Sequence, residues 1–212
     1  MSEICERIHH MLSNFERHHF PFDENEIPLN GIYLVFEDGE RSHGTDRIVR
    51  VGTHTGENQL RSRLKQHFVN ENKDRSIFRK NIGRALLQKA NDPFLKQWEW
   101  DLTSREAKEG LLSLLDVDRQ KEVEEAVSVH IRQHLSFVVL QVASKEERLE
   151  LEQKIISSIS WCEQCGPSPD WLGLYSTKQK IRESGLWLVN GLYKEQMSRK
   201  ELEMLEKMIV TG

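Results

Sequence analysis

A carboxylate stands where an apolar side chain is expected. At about 100° per residue along a helix, the stretch SKEERLELEQKIISSIS (144–160) sets Leu149, Leu151, Ile155, Ile156 and Ile159 on one broad arc, with Glu152 near its middle. An isolated buried charge costs several kcal/mol, so Glu152 must be paired, protonated or metal-bound. A buried ion pair with an arginine is the plain alternative. The stretch NQLRSRLKQHF (58–68) repeats the oddity with the opposite sign: Leu60, Leu64 and Phe68 form an apolar stripe, while Arg63 and His67, one turn apart, follow its edge. Arg61 lies on the stripe's other edge. An arginine can hold a phosphate through two parallel hydrogen bonds, and a histidine can exchange a proton with an attacking or leaving oxygen. Long cationic stems lying along apolar surface would produce the same pattern.

A tyrosine breaks a third apolar run, NGIYLVFEDG (30–39). In a strand, Gly31, Tyr33 and Val35 share one face while Ile32, Leu34 and Phe36 share the other. The apolar trio fills the core, so the expectation is that Tyr33 looks outward, its hydroxyl facing a cleft shared with Arg63, His67 and Glu152. Packing remains the alternative for this residue.

These residues need elements to hold them. Ile4, Ile8, Met11, Leu12 and Phe15 have helical spacing over 3–16, and the two prolines of HHFPFDENEIPLN then break that helix. GIYLVF (31–36) and RIVRVG (47–52) read as strands, joined through EDGERSHGTD as a hairpin with a longish loop. Helices follow at 58–68 with Asn58 as N-cap, at about 76–90 starting from Ser76, and across 119–134. LSFVVLQV (135–142) is a strand of the buried kind. Ser144 with Glu147, and Ser198 with Glu201, are capping boxes that open two further helices, and Gly185 closes a short one.

The 212 residues, 37% hydrophobic and 30% charged, suffice for one elaborated domain with a sizeable core. No stretch approaches the roughly 18 apolar residues of a membrane span, and the first residues lack an apolar signal core; the expected location is cytoplasmic, without a membrane partner. Three cysteines make no disulfide framework, which agrees with a reducing compartment. Cys162 and Cys165 form one CxxC, but no second pair completes a four-ligand zinc site. His9-His10 and His18-His19 read as surface histidines. Phosphate loops of the Walker type and nucleophile elbows are absent from the sequence. The net charge is −4, yet residues 61–89 carry nine Lys or Arg against Glu71 and Asp74, whereas 99–125 is acidic. Such asymmetry can guide a polyanion to one face of an acidic molecule. A solvated helix face is the alternative.

GIY at 31–33, RVG at 50–52, the LRSRL helix and the later helical Glu152 together resemble the GIY-YIG endonuclease domain, over about residues 29–165. The resemblance implies an α+β fold, a small three-stranded sheet flanked by helices, that hydrolyses a phosphodiester of DNA, with double-stranded DNA as the expected substrate and one Mg2+ or Mn2+ ion per site. Residues 1–28 would then be an N-terminal helix and linker, about 70–134 a helical insertion, and 166–212 a helical extension packed on the same domain. By motif, Tyr33 matches the tyrosine that activates the attacking water, and Arg63 the arginine at the scissile phosphate. His67 matches the His or Tyr one turn later, and Glu152 the metal ligand. Arg50 stands where the second motif has tyrosine, so a cationic partner replaces the usual pair or activity is weakened. Thr53, His54 and Glu57 lie in a short addition before the arginine helix, and His54 is placed to take a positioning role. The family's terminal asparagine is missing at its usual distance; Asp170 stands near that place. Arg61, Lys65, Arg75, Arg79, Lys80 and Arg84 are expected to track the DNA backbone. The C-terminal WLGLYSTKQKIRESGLWLVNGLY is similar to a segment of some bacterial members. A catalytically weakened or inactive nucleic-acid-binding module is the alternative, and two-strand cleavage would call for a homodimer or two successive events.

Overall fold

The structure, a computed structural model, describes residues 2–211. Helix α1 (Ser2–Ser13) leads into an antiparallel hairpin of β1 (Gly31–Ser42) and β2 (Thr45–Gly52). Helices α2 (Leu60–Phe68), α3 (Ile77–Lys89), α4 (Leu95–Trp98), α5 (Arg105–Leu111) and α6 (Val117–His134) follow. Strand β3 (Leu135–Gln141) then completes an antiparallel sheet of order β2-β1-β3, and α7 (Lys145–Ser160), α8 (Gln179–Ser184) and α9 (Arg199–Thr211) end the described chain. This is the α+β arrangement, with a three-stranded sheet flanked by helices, that the sequence predicts.

The alternation in β1 decides which core each residue joins. Tyr33 and Val35 enter a cluster with Leu60, Leu64 and Phe68 of α2, Phe78 and Ile82 of α3, and Val127 and Ile131 of α6. Ile32, Leu34 and Phe36 enter a second cluster with Ile8 and Leu12 of α1, Ile155 and Ile159 of α7, and Leu202 of α9. The sheet is therefore covered on both faces, and Tyr33 is fully buried rather than outward-looking. Strand alternation separates two faces, but it cannot say whether the second face meets water or another layer of helices.

The hairpin is longer and tighter than the sequence suggests. Irregular pairing around Gly39, at φ +82°, absorbs the extra residues of EDGE, and the strands run on to a two-residue turn at His43-Gly44. Asn58 does not cap α2. It adopts φ +56° and is held by a reciprocal pair of 2.8 Å hydrogen bonds with Asn30 across the base of the hairpin. Ser76, Ser144 and Ser198 do cap their helices, accepting from the N–H groups of Arg79, Glu147 and Glu201. On α7 the apolar arc is narrower than periodicity implies, because Leu149 is exposed.

Loops after α7 seal the sheet. The Trp187 N–H reaches the Val49 carbonyl at 2.8 Å, which covers part of the open edge of β2. The Trp171 and Trp187 indoles both donate to one carboxylate oxygen of buried Glu37, at 2.8 and 2.9 Å, and His130 lies 3.1 Å from the other. Burial pushes the Glu37 carboxyl up, but those three partners together hold it below its usual range.

Much of the basic stretch is internal. The Arg79 guanidinium is fully buried and bonds the Glu124 carboxylate through Nε and Nη2, its Nη2 also reaching Ser128 Oγ at 2.7 Å. Arg84 grips both oxygens of Glu99 at 2.6 Å, and Lys80 donates to the Glu99 and Trp100 carbonyls. A buried pair is weak as a source of net stability, yet removing one partner strands a desolvated charge and costs about 3–5 kcal/mol. Glu124→Ala is accordingly expected to destabilise the fold by that amount. Urea unfolding should show a lower midpoint at unchanged slope, and a midpoint within error of wild type would refute the assigned pairing.

Candidate active site

The Tyr33 hydroxyl and His67 Nε2 are 2.7 Å apart, and His67 Nδ1 is 2.7 Å from Ser76 Oγ. All three side chains are fully buried. Strand β1 aims the phenol at α2, and the apolar stripe of Leu60, Leu64 and Phe68 seats that helix so that His67 meets it. Ser76, the cap of α3, stands at the far side of the imidazole. Gly52 makes room: a Cβ there would lie 2.2 Å from the Tyr33 hydroxyl. Burial, followed by the charges of Arg50, Arg63 and Arg79, holds His67 well below its usual value, so its imidazole is neutral. A neutral imidazole has one donor nitrogen and one acceptor, which here makes a directed Tyr–His–Ser chain.

Just beyond Gly52 lies a cleft of about 320 Å³ lined by Thr53, His54, Thr55, Gln59, Ser62, Arg63 and Gln66. Arg63 is half-buried, steadied by Gln66 Oε1 at 3.1 Å and the Arg75 carbonyl at 3.4 Å. His54 Nδ1 is 2.7 Å from the Gly56 carbonyl, and its Nε2 accepts from the Gly31 N–H at 3.4 Å. Burial lowers its basicity, so it serves here as a neutral brace between the GIY strand and the cleft lip.

Glu152 approaches from elsewhere. Helix α7 packs on the opposite face of the sheet from Tyr33, so the four residues do not line one open cleft as expected. The Glu152 carboxylate nevertheless feels the Thr53 N–H, just past the end of edge strand β2. Burial raises its pKa above the ordinary carboxylate value, opposed first by Arg50 and then by the Thr53 N–H and Arg63. Arg50 and Arg63 thus act electrostatically on both His67 and Glu152.

Arg50 is nearly completely buried. Its Nη1 donates to the Trp187 carbonyl at 2.7 Å, its guanidinium lies 4.7 Å from the centre of the Phe78 ring, and its Nε has no partner among the described residues. A desolvated cation with one unused donor is suited to an incoming anion.

The expected backbone-tracking residues divide. Arg79, Lys80 and Arg84 are buried and internally paired, which takes their charge away from any DNA at the surface. Arg61 is half-buried and ties down the Ile27 carbonyl at 2.7 Å, and Lys65 pairs with Glu24 at 2.7 Å in solvent. Arg75 is exposed, as is Asp170. Sequence reasoning missed the second role of Ser76, which was legible only as a cap, and the contribution of Trp187, whose contact with Arg50 spans 137 positions.

A family model described as GIY-YIG domain matches residues 3–212. No match was found among curated proteins or among solved structures.

A neutral buried histidine makes stability depend on pH in a definite direction. Its folded value lies below the ordinary 6.5, so as pH falls past 6.5 the unfolded chain takes up the proton first. The stability contributed is complete above 6.5 and is lost as pH drops towards the folded value. The expected loss approaches about 1.4 kcal/mol per pH unit from this group. Urea midpoints measured against pH should fall more steeply for wild type than for His67→Gln; parallel curves would mean that His67 is not held neutral.

Proposed function

The chain belongs to the GIY-YIG domain family, and from that premise we propose that it is a metal-dependent endonuclease hydrolysing phosphodiester bonds of DNA. The observation that carries the reading is the 2.7 Å contact between the Tyr33 hydroxyl and an imidazole kept neutral, beside a cleft edged by Arg63.

In the productive arrangement, His67 donates through Nδ1–H to Ser76 Oγ and accepts the Tyr33 hydroxyl proton at Nε2. Tyr33 is thereby polarised towards phenolate and can take a proton from the attacking water. Arg63 donates to the phosphate oxygens at which charge accumulates, and the free Nε–H of Arg50 supplies a further donor to the same group. The tyrosine of the second motif is then replaced by charge rather than by a second phenol.

Mg2+ or Mn2+ binds through one or two carboxylates and otherwise through water and substrate phosphates. Glu152 fits that pattern as a single half-buried carboxylate near the Thr53 backbone, which lines the cleft. When bound, such an ion polarises the phosphate and the leaving oxygen. Because Glu152 must be ionised to hold it and burial raises its value, affinity for the ion falls as pH drops through that raised value.

A second reading, a nucleic-acid-binding module without turnover, draws on the complete burial of Tyr33 together with the arginine at position 50. Nicking of supercoiled plasmid in Mg2+ or Mn2+ separates the two. Tyr33→Phe is expected to lower the rate by about 10²–10⁴ and Arg63→Ala by about 10²–10³, with Glu152→Ala inactive. If these variants cut as fast as wild type, the nuclease assignment is wrong. If wild type does not cut but retains DNA in a salt-sensitive manner, the binding module takes its place.

A further inference from the structure

At the other end of the β1–β2 hairpin from Gly52, three distant stretches bring sulfur and nitrogen together. Cys5 and His9 lie on α1, His43 is at the hairpin tip, and Cys162 and Cys165 follow α7. One donor atom from each of Cys5, His9, His43 and Cys165 lies within 4.8 Å of every other. His9 is fully buried, not a surface histidine, and all three cysteines are buried free thiols. Every cysteine of the chain is in this one place.

The spacing is that of a coordination sphere. Cys165 Sγ is 3.6 Å from His9 Nε2; Cys162 Sγ, which is not one of the four, is 3.5 Å from His43 Nε2. Zinc bound tetrahedrally, with Zn–S about 2.3 Å and Zn–N about 2.0 Å, gives S···N edges of about 3.5 Å. Orientation agrees as well. His9 Nδ1 is 2.9 Å from the Cys5 carbonyl, so Nδ1–H donates there and the lone pair rests on Nε2, which lies beside Cys165 and accepts the Ile48 N–H at 3.2 Å, a bond that an ion would replace. An imidazole whose second nitrogen is fixed by a carbonyl is the usual supporting arrangement for a metal ligand.

The turn adds an independent observation. His43 and Gly44 both have positive φ, +51° and +76°. Asparagine followed by glycine suits such a turn, whereas other side chains are disfavoured there. A histidine at the first position forgoes local backbone preference, and its ring lies 5.3 Å from that of His9, pointing into the thiol cluster.

We propose that Cys5, His9, His43 and Cys165 hold one structural zinc ion, which joins α1, the hairpin tip and the end of α7. Two thiolates and two imidazoles in a tetrahedron select zinc over hard cations. With four protein ligands the site is closed, so its role is stability rather than catalysis. Cys162, touching His43, is a neighbouring thiol outside the four. The CxxC therefore contributes one ligand, and the partners that the sequence lacked nearby come from α1 and the turn. This site is separate from the catalytic ion assigned to Glu152, and the two are distinguished by what each binds.

The test is elemental analysis of the full chain after incubation with zinc and removal of loose ion, with cobalt substitution as a second readout. One zinc per chain is expected, and the cobalt form should show tetrahedral ligand-field bands with thiolate-to-cobalt charge transfer. Glu152→Ala should keep the zinc. Cys165→Ser and His9→Ala should lose it, but either buried change can also unfold the chain. His43→Asn suits the turn backbone; it is expected to retain native circular dichroism while weakening zinc by more than the roughly 10–100-fold that loss of an outer partner costs. Substoichiometric zinc in wild type, a cobalt spectrum without thiolate charge transfer, a disulfide among these cysteines in the purified protein, or unchanged affinity in His43→Asn would each overturn the assignment.

Discussion

A phenol in the middle of a sheet that is covered on both faces must have its hydroxyl paired, because an unsatisfied buried hydroxyl costs about 1–3 kcal/mol. Here its partner is His67, and much of the surrounding structure follows from keeping that imidazole in place and uncharged. Helix α2 must be seated by its apolar stripe, Ser76 must begin α3 at the other ring nitrogen, and position 52 must lack a side chain. The same contacts that satisfy the core also create a directed proton path. Packing and chemistry are therefore not competing explanations of Tyr33.

The charge pattern of the chain acquires a different meaning in three dimensions. Residues 61–89 and 99–125 look in the sequence like opposed surface fields, but Arg79 pairs with Glu124 and Arg84 with Glu99 inside the helical layer. Two carboxylates of the acidic stretch, Glu99 and Glu124, thus complement the basic one, while most of the others are exposed. What remains for a polyanion is a smaller set near the cleft, Arg63 and the exposed Arg75, with Arg50 behind them. Electrostatic guidance over a broad face gives way to a few placed donors, so affinity for DNA should rest on fewer ion contacts than the composition implies.

Periodicity and capping made most of the elements legible, since both are local. Ser76, Ser144 and Ser198 each cap a helix, and β1 sends alternate side chains to opposite faces. The misreadings share one physical origin, which is that the deciding partner is remote in the chain. Asn58 bonds Asn30 instead of its own helix, and Arg79 finds Glu124 across 45 positions. Cys165 meets His9 across 156. A pairwise pattern within one window cannot report a third layer of helices, and that layer turned an expected outward Tyr33 into a buried one.

Glu152 shows how the two faces of the sheet are coupled electrostatically. Its helix belongs to the layer of α1 and α9, whereas Tyr33 and His67 belong to the layer of α2 and α3. β2 is an edge strand, and the Thr53 N–H just past its end acts on the Glu152 carboxylate, as do the charges of Arg50 and Arg63. The register of α7 against β2 then fixes where the carboxylate stands. That helix is anchored through Ile155, Ile156 and Ile159 and continues directly into the cysteine cluster beside α1. Whatever fixes the end of α7 against the hairpin therefore also sets the depth at which Glu152 stands against the end of β2.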